Sequence, residues 1–348
     1  MNNRTARNIV AACGGILGFG LAFAAGPTEA QQAPAYATGK LVSVYVATAA
    51  GGTADFTMRM IAQHIGKHLP GQPTVVPKNM PGAGSRKLAE YLYSQAAKDG
   101  TEFGLLLRPI ATDPLFADAD AAYDVQKLVW LGSPSPVTDV CGFWHTAPIQ
   151  SFDEMKTKEL VIPAIGAEAG EAVQSSILRQ LAGVKIRTVI GYQSGGEMAL
   201  AVERGEAHGR CALSWEAMKS TYPDYIAKKQ FKPFVQFALE RHRELPDVPA
   251  IMEMAKTEIA KQALDVILAP QSFGFPLAAP SGISAETADI LRRALQATMT
   301  DPGFLADAAK RKFEIDFVPH TRLESILKSV YGYPPAVIDR AKALIGSK

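Results

Sequence analysis

The stretch KNMPGAGSRKLAEYL, residues 78–92, carries the first indication of the fold, because it places two glycines between a strand and a helix. The residues before it, PTVVP (73–77), are typical of a β-strand, and its second half has the apolar spacing of a helix. The first N–H groups of a helix have no partner inside the helix and lie at its positive end. A turn of this kind favours a negative group, either a nucleotide phosphate or a carboxylate.

A second glycine loop of the same kind lies upstream. The strand-like LVSVYVA (41–47) is followed by AAGGTADFT (49–57) and a helical pattern. This loop has no Lys-Ser/Thr pair, which a phosphate-binding P-loop requires. PGAGSRK (81–87) lacks the third glycine and the downstream acid of a dinucleotide fingerprint. Two glycine turns after successive strands at one sheet edge therefore predict a site for an anion other than a nucleotide.

Strand-like and helical patterns alternate through the rest of the chain. EFGLLL (102–107) is a continuous apolar run, as expected for a strand covered on both sides. SAETADILRRALQATM (284–299) is a helical pattern with Ser284 as its predicted N-cap. This alternation predicts an α/β protein with mostly parallel sheets. The Pro-rich LGSPSPV (131–137) and the region 237–243 are the expected crossings between two domains.

Length and charge exclude one broad class of function. The 348 residues are enough for about two domains with ample cores. Basic and acidic residues number 36 and 34, are interspersed, and give a net charge of +2. A nucleic-acid-binding protein would show a clustered basic stripe, so we expect no nucleic-acid partner.

The N-terminus has the pattern of a secretory signal peptide. Arg4 and Arg7 precede the apolar run IVAACGGILGFGLAFAA (9–25), and a small and polar stretch follows it. Cleavage could follow Ala24 or Ala30, of which we favour Ala30, so we expect residues 1–30 to be a signal peptide and the mature chain to be exported. The mature chain keeps Cys141 and Cys211, which predict one disulfide in an oxidising compartment. Two buried thiols are the alternative.

A few other residues could bind a ligand or a metal or take part in catalysis, and each also allows a simpler structural role. Arg108 directly follows the buried strand EFGLLL and could pair with an internal acid or with a ligand carboxylate. His64 and His68 have a chelating spacing, but no cysteine or carboxylate completes a site, so we expect a solvated face and no metal. GYQSGGE (191–197) is one position out of register with a nucleophile elbow.

The pattern resembles the periplasmic solute receptors of tripartite tricarboxylate transporters, the Bug family. Six segments carry the resemblance, in the family's order along the mature chain: AGGTADFTMR (50–59), PTVVPKNMPGAGS (73–85), KDGTEFGLL (98–106), GYQSGGEMALAVERGE (191–206), LPDVPAIMEMA (245–255) and LAAPSGIS (277–284).

The resemblance implies a two-lobed periplasmic binding protein fold, type II-like, with helices on both sides of a mostly parallel sheet in each lobe. Residues 36–136 and 239–348 would form lobe one, residues 137–238 lobe two, and the ligand would lie in the cleft between them. The protein would capture a small organic carboxylate and deliver it, as a monomer without cofactor or catalysis, to the large and small membrane subunits of a transporter. The resemblance and the loops together predict these ligand-binding residues: Gly51, Gly52, Thr53, Ala54, Gly82, Ala83, Gly84, Ser85, Arg108, Gly166, Ala167, Tyr192, Ser194 and Gly195.

Departures from the family pattern concern the ligand more than the fold. Thr53 and Ala54 alter the first loop, and Glu197 replaces a proline common in the family. An acid at position 197 would repel a second ligand carboxylate unless a cation offsets it, which favours an amine-bearing or single-carboxylate ligand. Two other functions stay open: a receptor that reports to a membrane sensor kinase, and a secreted serine hydrolase using Ser194 or Ser85. The identity of the ligand is not predicted.

Overall fold

The larger sheet is built from both ends of the chain. In the computed structural model, which describes residues 40–116 and 122–346, six strands form this sheet in the spatial order β11-β4-β10-β3-β1-β2. Their bounds are β1 Leu41–Val46, β2 Thr74–Asn79, β3 Glu102–Leu105, β4 Val129–Ser133, β10 Leu277–Ala279 and β11 Val318–Pro319.

The middle of the chain supplies two smaller sheets. Three strands pair in the order β8-β5-β9, with bounds β5 Asp139–Trp144, β8 Gly209–Ser214 and β9 Phe231–Phe237. Two more, β6 Leu160–Ala164 and β7 Ile186–Ile190, pair in parallel. The His208 N–H donates to the Val161 carbonyl over 2.9 Å and so joins the two small sheets at one edge. The result is a two-lobed α/β architecture, whose larger lobe holds the six-stranded sheet and whose smaller lobe holds the other two.

The expectation of mostly parallel sheets is wrong for much of the molecule. Strands β1, β2 and β3 pair in parallel, and so do β6 and β7. The pairings of β10 with β3 and β4, of β11 with β4, and of β5 with β8 and β9 are antiparallel. Strands β10 and β11 come from the C-terminal part of the chain and enter the sheet after the smaller lobe. Local sequence patterns therefore do not predict their direction.

Twelve α-helices of the described ranges cover the sheets and connect them: α1 Thr53–Ile65, α2 Arg86–Ser94, α3 Asp113–Phe116, α4 Gly170–Ala182, α5 Gly195–Glu203, α6 Trp215–Thr221, α7 Pro223–Ala227, α8 Glu258–Phe273, α9 Ala285–Met299, α10 Pro302–Lys310, α11 His320–Tyr331 and α12 Pro335–Ile345. The Ser284 hydroxyl accepts the Thr287 N–H at the start of α9, which confirms the predicted N-cap.

The core follows the alternation of the strands. On one face of the large sheet, Val44 and Phe103 pack with Ile61 of α1 and Leu291 of α9. A second apolar cluster covers the other face and continues into the smaller lobe. The C-terminal helix α12 contacts the smaller lobe. The Gln180 amide of α4 donates to the carbonyl oxygens of Ala343 and Leu344 over 2.7 and 3.1 Å.

The predicted disulfide is confirmed. Cys141 of β5 and Cys211 of β8 are bonded, and the bond joins residues 70 positions apart. Both side chains are fully buried between the small sheet and α4. The predicted signal peptide, residues 1–30 with Cys13, lies outside the described residues. In the described part of the chain, no helix is long and apolar enough to cross a membrane.

Candidate ligand-binding site

The first glycine loop opens α1 with unsatisfied N–H groups. Gly52 is the N-cap, and its carbonyl accepts the Phe56 N–H over 2.9 Å, while no side chain caps the helix. The N–H groups of Gly52, Thr53 and Ala54 have no hydrogen-bond partner among the described residues. At the positive end of a 13-residue helix, such donors favour an anion.

Asp55 holds this loop beside the end of β2. Its carboxylate accepts the Gly51 N–H over 3.0 Å, the Arg59 side chain over 3.0 Å and the Asn79 amide over 2.8 Å. The Arg59 guanidinium lowers the pKa of Asp55 to about 2, with help from the N–H donors, so the carboxylate stays ionised. Asn79 also donates to the Thr48 carbonyl over 2.9 Å. The network fixes the first loop against the residues that lead into the second.

The second glycine loop has an unusual backbone. Gly82, Ala83, Gly84 and Ser85 have φ values of 152°, 44°, 62° and 91°, and for Ala83 and Ser85 this is strained. Ser85 is fully buried, and its hydroxyl accepts the Leu107 N–H over 3.0 Å, which ties the loop to the end of β3. The N–H groups of Gly82, Ala83 and Gly84 have no partner in the part of the chain described here. Successive free N–H groups in a turn form a concave surface for anions.

A cavity of about 610 Å³ lies where the two lobes meet. The larger lobe contributes the first glycine loop, the segment after β3 and a C-terminal turn after α10. The smaller lobe contributes the start and the outer face of α6. The residues that line it include Gly51, Gly52, Thr53, Phe56, Arg108, Ser214, Glu216, Ser220, Thr221, Phe275, Arg311, Lys312 and Phe313.

Arg108 pairs with an internal acid, which is one of the two partners that the sequence allowed; the other was a ligand carboxylate. Its Nη2 lies 3.2 Å from Oδ2 of Asp139, a carboxylate that is almost fully buried at the start of β5. The Gln174 amide donates to the same oxygen over 3.4 Å. Arg108 lines the cavity, but its charge is offset by Asp139, so it presents less positive charge to a ligand than the sequence suggested.

Glu216 also lines the cavity, and no sequence pattern indicated it. Burial, with a smaller contribution from the nearby Asp139, raises the pKa of its carboxyl to about 7. Its Oε2 is buried and has no hydrogen-bond partner among the residues described. The His242 Nε2 lies 3.9 Å from its Oε1. A carboxyl that gains or loses its proton near neutral pH therefore forms part of the cavity wall.

Aromatic rings and two cations form the opposite wall. Phe56, Phe275 and Phe313 are half-buried, and the Phe275 and Phe313 rings meet edge to face with centroids 5.5 Å apart. The Arg311 guanidinium lies 4.1 Å from the centroid of the Phe56 ring. The neighbouring Lys312 has a φ of 55°, which turns the chain after α10. Sequence reasoning missed this wall, although the run RKFEIDF (311–317) contains its basic and aromatic residues.

The structure places the other predicted residues outside the cavity lining. Ala54 directly follows Thr53, which lines the cavity. The second loop, Gly82 to Ser85, is connected to the lining because the Leu107 N–H donates to the Ser85 hydroxyl and because Asn79, just before the loop, donates to Asp55. The segments of Gly166 and Ala167 and of Tyr192, Ser194 and Gly195 begin side by side at the ends of β6 and β7. There the N–H groups of Gly191 and Tyr192 both point to the Ala164 carbonyl, over 3.1 and 3.4 Å.

Glu197 is engaged in capping α5. The Ser194 hydroxyl accepts the Glu197 N–H over 3.2 Å, and the Glu197 carboxylate accepts the Gln193 N–H over 2.7 Å. His64 and His68, whose spacing could chelate a metal, both lie next to carboxylates and are largely buried. The expectation that they face solvent is therefore wrong. The His64 Nε2 lies 3.0 Å from Asp307 and the His68 Nε2 3.5 Å from Asp301, around α10. The described residues contain no cluster suited to a metal ion.

Solved structures share this architecture. A TctC solute-binding protein from Polaromonas superimposes with a TM-score of 0.65 at 16% identity, covering 86% of this chain and 98% of its own. The R. palustris protein Rpa4515, solved with adipate, gives 0.58 at 16% identity, with coverages of 88% and 97%. The periplasmic binding protein BugD gives 0.56 at 20% identity, with coverages of 87% and 97%. No protein-family model and no curated protein matches the sequence. The chain thus has the fold of TctC and Bug solute-binding proteins.

Proposed function

We propose that this protein is a periplasmic solute-binding protein that captures a small organic carboxylate between its lobes. One observation carries the proposal: the free N–H groups of Gly52 and Thr53, at the positive end of α1, border a cavity that both lobes line. A neighbour with the same fold was solved with adipate, a dicarboxylate, which supports this ligand class. The second loop would complete the carboxylate site from its own free N–H groups, and the predicted residues of the smaller lobe would contact the ligand after the lobes close.

The proposal also covers the export of the protein, the bounds of its lobes and its membrane partner. Residues 1–30 would be removed on export, lobe one would comprise residues 36–136 and 239–348, and lobe two residues 137–238. The protein would act as a monomer without chemistry of its own and deliver its ligand to a tripartite tricarboxylate-type membrane transporter. Loss of uptake of the identified carboxylate in cells that lack only this protein would support delivery. Unchanged uptake would favour a sensory role instead.

Substitution of Gly52 provides a test in which stability and affinity change in opposite directions. Gly52 has an ordinary φ of −87°, and nothing lies within 4 Å of the position of an added β-carbon. Asparagine and aspartate are both favoured at this N-cap position and should stabilise α1 by a few tenths of a kcal/mol. Aspartate also adds a negative charge beside the proposed carboxylate. We therefore expect Gly52→Asp to keep or raise the melting temperature and to weaken carboxylate binding at least tenfold, while Gly52→Asn retains most of the affinity.

The measurement uses the purified protein after unfolding and refolding to remove any bound ligand. A thermal-shift screen of mono-, di- and tricarboxylates would identify binders, because a ligand of the native state raises the melting temperature by mass action. Isothermal titration calorimetry then compares wild type, Gly52→Asp and Gly52→Asn. Equal affinity in all three proteins would show that no carboxylate binds at the start of α1, and the proposal would fall.

A further inference from the structure

Glu216 brings a carboxyl without a partner to the wall of the cavity. It is the second residue of α6 and the one acidic side chain among the described residues that line the cavity. Its Oε2 is buried, and no described residue forms a hydrogen bond with it. Buried polar atoms are nearly always hydrogen-bonded, because losing water without a replacement partner is costly.

Two cations in this part of the wall are already paired with other acids. Lys219, one turn further along α6, lies 2.8 Å from both Glu244 and Glu314. Arg108 lines the cavity, but its guanidinium pairs with the buried Asp139 over 3.2 Å. Neither cation is therefore free to neutralise the carboxyl of α6.

His242 approaches the same carboxyl without bonding to it. Its Nε2 lies 3.9 Å from the Glu216 Oε1, which is beyond hydrogen-bond reach. Its Nδ1 accepts the Glu244 N–H over 3.2 Å, so the single proton of the neutral ring lies on Nε2. Burial lowers the pKa of His242, so the ring carries no charge at pH 8. A ligand in the cavity remains the source from which the carboxyl can obtain a partner.

The charges of the cavity are separated between the lobes. The larger lobe lines it with the positive end of α1 and with Arg311 and Lys312, which follow α10. The smaller lobe lines it with Glu216. A ligand that is negative at one end and positive at the other complements both sides.

We propose that Glu216 determines which carboxylates this protein accepts, by binding a protonated amine of a ligand whose carboxylate lies at the first glycine loop. The inference rests on the proposed function and narrows it to ligands with one carboxylate and one amine. A dicarboxylate would bring a second negative charge to Glu216 and is disfavoured. The sequence attributed a preference of this kind to Glu197, but Glu197 is engaged in capping α5.

The test compares amino acids with carboxylates of the same size in which a methyl group replaces the ammonium group. The pairs are glycine and propionate, β-alanine and butyrate, 4-aminobutyrate and pentanoate, and 5-aminopentanoate and hexanoate. Binding is measured by calorimetry at pH 8, where Glu216 is ionised because its pKa is about 7. We expect at least one amino acid to bind wild type about 10- to 100-fold more tightly than its methyl counterpart, as for one charge-assisted hydrogen bond.

Glu216→Gln removes the charge and keeps the shape of the side chain. The amino acid should then bind at least tenfold more weakly, because its ammonium group loses its counter-charge. The methyl counterpart should bind about twofold more tightly, because its carboxylate is no longer repelled. These opposite changes distinguish the proposed contact from damage to the fold, which would weaken both ligands. Glu206→Gln, the same change at an exposed acid of the smaller lobe, is the matched control and should preserve the affinity ratio.

Three results would overturn the assignment of Glu216. These are methyl counterparts that bind wild type as tightly as the amino acids, an affinity ratio that survives in Glu216→Gln, and a dicarboxylate that binds more tightly than every amino acid. Hydroxy acids of equal length that match the amino acids would also overturn it, since they would show that a neutral donor suffices. If carboxylate binding were still lost in Gly52→Asp, the proposed receptor would stand without this specificity.

Discussion

Glu216 is a carboxyl whose charge state should change with pH near neutrality. Its pKa of about 7 lies above the ordinary glutamate value of 4.5, and burial is the main cause. Between these two pH values the folded protein holds a proton that the unfolded chain has released. The free energy of unfolding should therefore fall as pH rises from about 4.5 to about 7, by roughly 3 kcal/mol at most, and level off above that range.

Glu216→Gln should remove this part of the pH dependence. Urea unfolding at pH 5, 6, 7 and 8 would compare wild type, Glu216→Gln and the exposed control Glu206→Gln. We expect the largest difference in slope for Glu216→Gln and almost none for Glu206→Gln. The ionised carboxyl also repels an anionic ligand, so carboxylate affinity should weaken in wild type as pH rises through 7. Identical pH profiles for wild type and Glu216→Gln would show that a group other than Glu216 sets the dependence.

Individual residues were predictable from the sequence where the backbone alone defines their role. The first glycine loop borders the cavity because a strand, a glycine turn and a helix follow one another locally. Glu216 could not be found in this way, since its raised pKa depends on burial between elements that are distant in the chain. Arg108 shows the intermediate case: its position after a buried strand predicted a buried partner or a ligand, and only the fold brings Asp139 to it.

Among the secondary-structure elements, the pair β5 and β8 depends most on a single covalent link. The Cys141–Cys211 bond closes a segment 70 residues long, which contains β6, α4, β7 and α5. A crosslink over a segment of this length restricts the unfolded chain and contributes about 4 kcal/mol by the chain-entropy relation. The double variant Cys141→Ala, Cys211→Ala should lose about that amount in urea unfolding.

Reduction supplies the control for the disulfide. Dithiothreitol should lower the unfolding midpoint of wild type and leave that of the double alanine variant unchanged. A loss below about 1 kcal/mol in the variant would mean that the buried neighbours hold β5 and β8 together without the bond.

The strands and helices themselves followed from local patterns more reliably than their pairing did. A continuous apolar run indicated β3, and Ser284 indicated the start of α9. The direction of β10 and β11 could not be derived, because strand polarity in a sheet depends on where the chain crosses between lobes. The crossings separate Phe56 in sequence from Phe275 and Phe313, so the aromatic wall of the cavity exists only in the folded molecule.

At the scale of the whole molecule, an ion-pair cluster connects the lobes at the rim of the cavity. Lys219 of α6 lies 2.8 Å from Glu314 and 2.8 Å from Glu244, and Arg243 also pairs with Glu314. Glu314 follows Phe313, which lines the cavity, so the cluster joins the smaller lobe to the C-terminal wall of the site. Movement of the lobes relative to one another would change the distance between Lys219 and Glu314.

Lys219→Met should therefore favour the arrangement with the lobes apart. The side chains of Lys219 and Glu314 are 24% and 22% exposed, and a pair of this kind contributes about 1 kcal/mol. We expect carboxylate affinity to weaken about fivefold, because a smaller fraction of the molecules has the arrangement that binds. Small-angle X-ray scattering of the ligand-free protein should show a larger radius of gyration, and saturating ligand should restore the wild-type value. Lys228→Met, which removes the exposed pair with Asp224 inside the smaller lobe, is the matched control and should change neither quantity. If Lys219→Met and Lys228→Met behaved alike, the rim cluster would be a surface feature of a rigid molecule, and closure would have to depend on contacts made by the ligand alone.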